Sequence, residues 1–147
     1  MLCLNEQDKI DRKQIMLFNK APQIHPDLTK LTESFNNHEL TKLSSFGTVI
    51  DLAAGSVLAR EGAVGQEAVV VISGTANVVR DGETIATVGT ASILGEGALI
   101  TGEARNASLI AETDLTVCVL NRREFSSWLA ACPRIEVEVN SLAAARA

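Results

Sequence analysis

Apolar positions change their spacing twice along this chain. In the first third they recur every three or four residues. "NEQDKIDRKQIMLFNK" places Ile10, Gln14 and Leu17 near one face, and "DLTKLTESFNNHELTKLSSF" continues with Leu28, Leu31, Phe35, Leu40, Leu43 and Phe46. That is the period of amphipathic helices. Pro22 and Pro26 predict a break near "APQIHP", because proline removes a helix donor. Asn36-Asn37 separates two short helices or caps the second. From Gly47 to Asn121 the pattern shortens: Val, Ile and Thr become common and glycines recur. Short strands are predicted, with turns at Ala54-Gly55 and Glu61-Gly62. Asp81-Gly82, between "TANVV" and "TIATV", is the strongest hairpin signal in the chain. "ARNASLIAET" and "LTVCVLN" are further strands. After Asn121 the helical spacing returns. Asn121 caps "RREFSSWLAAC", with Phe125, Trp128 and Leu129 on one face and Pro133 at its end. "RIEVEVNSLAAARA" reads as a last helix, its Val- and Ile-rich first half being ambiguous. So many short strands in one block predict a β-barrel or sandwich rather than a βαβ sheet.

Composition narrows the function. The 147 residues suit one domain, and 46% hydrophobic with 21% charged residues is globular. A net charge of −5 gives no electrostatic footprint for nucleic acid. Aromatics at 3%, with no tyrosine, remove the stacking platforms of single-strand binders. Cys3, Cys118 and Cys132 are too scattered for a disulfide framework, a zinc site or an iron–sulfur cluster. Cys118 and Cys132 read as small buried hydrophobes. His25 and His38 fall outside the strand block, so a metal-binding barrel lacks its ligands and no catalytic triad is recognisable. The nucleophile turn G-x-S-x-G does not occur. The expectation is a protein that is not an enzyme and carries no cofactor. Apolar runs such as "AVVVIS" fall far short of the ~20 residues of a membrane span. The N-terminus carries charges where a signal peptide has its apolar core. A cytoplasmic location without membrane contact is expected.

One stretch concentrates the chemistry: "GEGALITGEARNAS", Gly95 to Ser108. Its small residues allow close backbone approach to a ligand, and successive N–H groups make an anion site. "EGALI" is a candidate helical turn. Arg105 offers a permanent cation with a planar fork suited to phosphate. Glu96 accepts a hydrogen bond from a hydroxyl such as a ribose 2′-OH. Together they describe a nucleotide site. They equally describe an ion pair between Glu96 and Arg105, with the glycines serving turns only. Arg60 reads as turn support, Arg122-Arg123 as solvated, and Trp128 as core.

The order of features resembles the cyclic-nucleotide-binding domain family, over roughly residues 36 to 147. "ELTKLSSFGTVIDLAAGSVLAREG" is similar to the family's short helix, first strand and two turns. "VVVISGTANVV" is similar to the next strand pair, turning at Ser73-Gly74. "LGEGALITGEARNASL" resembles the phosphate-binding cassette, and "FSSWLAACP" the helix that follows the barrel. The resemblance implies a mainly β fold: an antiparallel, jelly-roll-like β-roll (a double-stranded β-helix) over about 47–121. It is flanked by N-terminal helices and by C-terminal helices over about 122–147. Residues 1–35 would be a helical extension. It further implies that Glu96 accepts the ribose 2′-OH and that Arg105 holds the cyclic phosphate. Amides near Gly95, Ala98, Asn106 and Ala107 would complete the cradle. The ligand would be cyclic AMP, with cyclic GMP as the second choice. Departures are Leu94 for the usual Phe, Gly97 for Leu, Ala104 for Pro, Asn106 for Ala, Ser or Thr, and Ala91 for Gly. The implied function is a regulatory sensor that signals by rearranging its C-terminal helices. The alternative is a scaffold or dimerisation module of the same fold without nucleotide. No helix-turn-helix follows the last helix in this sequence, so the expected output is a homodimer, a protein partner or a segment that this sequence does not include.

Overall fold

The computed structural model describes residues 24–64, 66–95 and 105–146. The helical reading around Ile10–Leu17 and the "EGALI" turn lie outside the described residues. A 3-10 helix, Pro26–Leu31, precedes α1, Asn37–Phe46. Eight strands follow among the described residues: β1 Thr48–Leu52, β2 Val57–Ala59, β3 Glu67–Ser73, β4 Ala76–Arg80, β5 Glu83–Val88, β6 Ile93–Leu94, β7 Ser108–Ala111 and β8 Leu115–Asn121. The chain then forms α2, Arg122–Ala131, and α3, Pro133–Arg146. The strands make two antiparallel sheets, ordered β1-β8-β3-β6 and β2-β7-β4-β5. This is the β-roll with flanking helices that the sequence predicts.

Burial explains why "AVVVIS" reads as an unbroken apolar run. β3 is covered on both faces, so period-two alternation disappears. Ala68, Val70 and Ile72 face the helices, in a core with Leu28, Leu31, Leu40, Leu43, Phe125 and Trp128. Val69 and Val71 face the other sheet, in a second core with Leu94, Leu109, Leu115 and Val117. One layer thus mounts the helices and the other closes the roll.

The local chemistry of the elements follows the sequence. Asn36 and Asn121 both cap their helices, each in a reciprocal box with a glutamate three residues on, Glu39 and Glu124. The Asp81-Gly82 hairpin has φ of 54° and 80°, the left-handed pair that fits strand twist. Cys118 and Cys132 are buried free thiols, and Trp128 is core, edge-on to Phe35 at 5.9 Å. Two details differ. The "ARNASLIAET" strand is shorter than its sequence suggests, because Arg105 pairs with a turn instead of the sheet ladder. Pro133 both ends α2 and opens α3, since the first helical position needs no N–H donor. The Val- and Ile-rich start of α3 is helical because Ile135 and Val139 fill the helix-side core.

Candidate functional site

β6 delivers the chain to Gly95 at one end of the first sheet. Gly95 has φ +79°, and a Cβ there would lie 2.6 Å from Arg105 Nη1 and 2.9 Å from the Glu67 carbonyl oxygen. Glycine is required twice over, by backbone conformation and by the arginine lying against it. The half-buried Arg105 donates from Nη2 to the Glu67 carbonyl at 2.7 Å, with a long 3.5 Å contact from Nη1 to the Gly95 carbonyl. These carbonyl oxygens orient the guanidinium fork.

The backbone of Arg105 is fixed as well. Its N–H donates to the Ala63 carbonyl at 2.9 Å, and its carbonyl accepts from the Gly62 N–H at 2.8 Å. The turn after β2 therefore clamps the arginine from behind. One residue on, the Asn106 carbonyl accepts from Arg80 Nε at 2.9 Å. Ala107 is buried, and Ser108 Oγ accepts from the Glu61 N–H at 2.9 Å.

Of the residues the sequence singles out, Gly95 and Arg105 are in contact, with Asn106 and Ala107 following on the same segment. Glu96 and Ala98 lie outside the described residues. Sequence reasoning does not reach the Glu67 carbonyl, because a backbone acceptor leaves no trace in residue type. Arg80 is likewise invisible: a basic residue beside a hairpin carries no motif. The histidines have structural tasks. His25 Nδ1 accepts from the Asp27 N–H, and His38 Nε2 is 3.0 Å from the Ala131 carbonyl. Among the described residues, no group of three or more His, Cys, Asp or Glu side chains is placed to hold a metal. No described helix is long and apolar enough to cross a membrane.

A second polar cluster joins the helices. Glu39, only 3% exposed, takes a two-pronged contact from Arg134, through Nε to Oε2 at 3.0 Å and through Nη2 to Oε1. Arg134 also donates to the Ser34 carbonyl. Trp128 Nε1 donates to the Glu39 carbonyl at 3.1 Å. Burial pushes the Glu39 carboxyl up. The Arg134 and Asn36 hydrogen bonds and the charges of Arg134 and His38 outweigh it, holding the group below its ordinary value of 4.5. Burial, with the Glu124 charge, pushes the Cys118 thiol up to about 12, so it is no nucleophile.

Comparison with known proteins agrees with this architecture. The profile of the cyclic nucleotide-binding domain matches residues 49–132, more than half of the chain. A cyclic nucleotide-binding domain from Methylobacillus flagellatus superposes with TM-score 0.62 at 30% identity, over 74% of this chain and 65% of that one. The Thermus thermophilus catabolite activator protein superposes with TM-score 0.68 at 24% identity, over 80% of this chain and 57% of that one. PKAR CBD2 bound to Sp-2Cl-cAMPS gives TM-score 0.64 at 21% identity, over 78% and 86%. This chain therefore spans less than two thirds of the first two. Fold and family profile coincide: the chain belongs to the cyclic nucleotide-binding domain family.

Proposed function

We propose that the protein is a regulatory sensor that binds a cyclic nucleotide, cyclic AMP in the first place, and does so without catalysis. The observation that supports this most is Arg105. Its backbone is clamped by the Gly62–Ala63 turn and its guanidinium is steered by the Glu67 and Gly95 carbonyls. A cation so preorganised binds a cyclic phosphodiester at little ordering cost. In this reading Glu96 accepts the ribose 2′-OH, and the amides of Gly95, Ala98, Asn106 and Ala107 complete the phosphate cradle. The base needs only apolar surface, and the scarcity of aromatics does not oppose it.

Signalling follows as a population shift. Phosphate capture at Arg105 would be felt at the end of β6, whose Ile93 belongs to the same core as Phe125, Trp128 and Ile135. α2 and α3 would then repack against the first sheet.

Calorimetric titration with cyclic AMP and cyclic GMP tests the reading. Micromolar binding of cyclic AMP is expected, reduced about 30-fold in Arg105→Ala by loss of charge-assisted hydrogen bonds. Glu96→Ala should cost less, since it loses a contact to a neutral hydroxyl. No heat with either nucleotide from folded protein would overturn the sensor and leave the scaffold.

A further inference from the structure

The peptide units on either side of Asn106 both have their carbonyls hydrogen-bonded, and the two ties differ in kind. The Arg105 carbonyl is held by a backbone donor, the Gly62 N–H. The Asn106 carbonyl is held by a side chain, Arg80 Nε–H, at 2.9 Å. In a trans peptide the C=O and the following N–H point in opposite directions, and no described peptide is cis. Fixing the Asn106 oxygen therefore fixes the direction of the Ala107 N–H. Ala107 also stands just outside the sheet, the β4–β7 pairing beginning at Val79↔Ser108, so the ladder does not itself set this peptide.

Arg80 is well placed to hold that peptide. It is the last residue of β4, paired with Glu83 of β5, and its side chain is half-buried. The next residue, Asp81, donates its N–H to Glu61 Oε1 at 3.1 Å. Glu61 in turn donates its N–H to Ser108 Oγ. The base of the arginine and the segment it holds are thus braced by one turn.

We infer that Arg80 is a positioning residue of the nucleotide site: through the Asn106 carbonyl it aims the Ala107 N–H at the cyclic phosphate. This rests on the sensor reading above for the identity of the ligand, but the orientation itself is a property of the free protein. Arg80 acts here as a directional donor and its charge is secondary.

Two substitutions separate those roles. Arg80→Met keeps the stem and removes the donor. Arg80→Gln discards the charge but sets an amide N–H where Nε stood. The first readout is the residual dipolar coupling of the Ala107 N–H in ligand-free protein. It should change in Arg80→Met and stay near wild type in Arg80→Gln. The second is the cyclic AMP dissociation constant. It should rise about fivefold in Arg80→Met, the loss expected from one ordinary hydrogen bond, and stay within twofold in Arg80→Gln. An unchanged Ala107 coupling in Arg80→Met overturns the inference whatever the nucleotide does. Equal loss of affinity in both variants also overturns it, since that marks a charge effect. If wild type binds no cyclic nucleotide while the coupling still responds as expected, the sensor reading fails and the positioning of Ala107 stands.

Discussion

Arg134 and Arg105 each carry a guanidinium across a large sequence distance to its acceptors, and the acceptors differ in kind. Arg134 meets a carboxylate, Glu39, which also closes the cap of α1. Among its described partners Arg105 meets main-chain carbonyls, those of Glu67 and Gly95. A buried carboxylate needs its cation, because an unpaired buried charge is costly. A carbonyl directs a cation by its dipole and carries no full charge of its own. The first arrangement fastens α3 to α1. The second orients a guanidinium at the end of the first sheet, and in the proposed reading it serves binding.

The largest expected effect attacks the fastening. Arg134→Ala should destabilise the fold by about 2 kcal/mol, by taking from the Glu39 carboxylate the charge-assisted hydrogen bonds of a half-exposed cation, as read in urea denaturation. Its cyclic AMP affinity should remain within twofold of wild type. A normal stability would show that water replaces the guanidinium at Glu39 and would erase the contrast.

Next in size is the pH dependence of the same pair. The Glu39 carboxyl is held below its ordinary 4.5. Its contribution is therefore present above that value and is lost as pH falls through the lowered folded value. The stability gap between wild type and Glu39→Gln should be about 1 kcal/mol at neutral pH and should close on acidification. A gap constant down to pH 3 would contradict the assignment.

A smaller effect sharpens the cassette side. Ala91 has φ +73° just before β6, a conformation that costs an alanine about 1 kcal/mol. Its N–H still donates to the Val71 carbonyl at 2.7 Å, so the strained turn is anchored. Ala91→Gly should raise stability by about 0.5 kcal/mol, the relief of strain exceeding the added entropy of the unfolded chain. The smallest effect is none at all. Cys118, buried and pushed up to about 12, should resist thiol reagents at pH 8 until the protein unfolds.

Much of this was legible in the residues. The capping asparagines, the Asp81-Gly82 hairpin, the buried Trp128 and the roll itself rest on local spacing and on turn chemistry, which act within a few residues. Gly95 and Arg105 were legible as types suited to a phosphate, though not as neighbours. Their contact depends on β6 running beside β3, a pairing that only tertiary structure brings about. The Glu39–Arg134 clasp joins residues 95 apart. The Asn36 cap was legible, but no local pattern read from the sequence names Glu39 or the arginine. Arg80 and the Glu67 carbonyl act through the backbone, where side-chain identity says little.

The most direct test of the division between the two arginines is the shift in melting temperature on adding saturating cyclic AMP, measured in wild type, Arg134→Ala and Arg105→Ala. A ligand that binds only the folded state raises its stability with the logarithm of its concentration over the dissociation constant. Wild type and Arg134→Ala should show equal upward shifts, from a lower starting point in the second. Arg105→Ala should start near wild type and shift clearly less, as an about 30-fold weaker affinity requires. A full shift in Arg105→Ala, or a lost shift in Arg134→Ala, would contradict the assignment of binding to one arginine and fastening to the other.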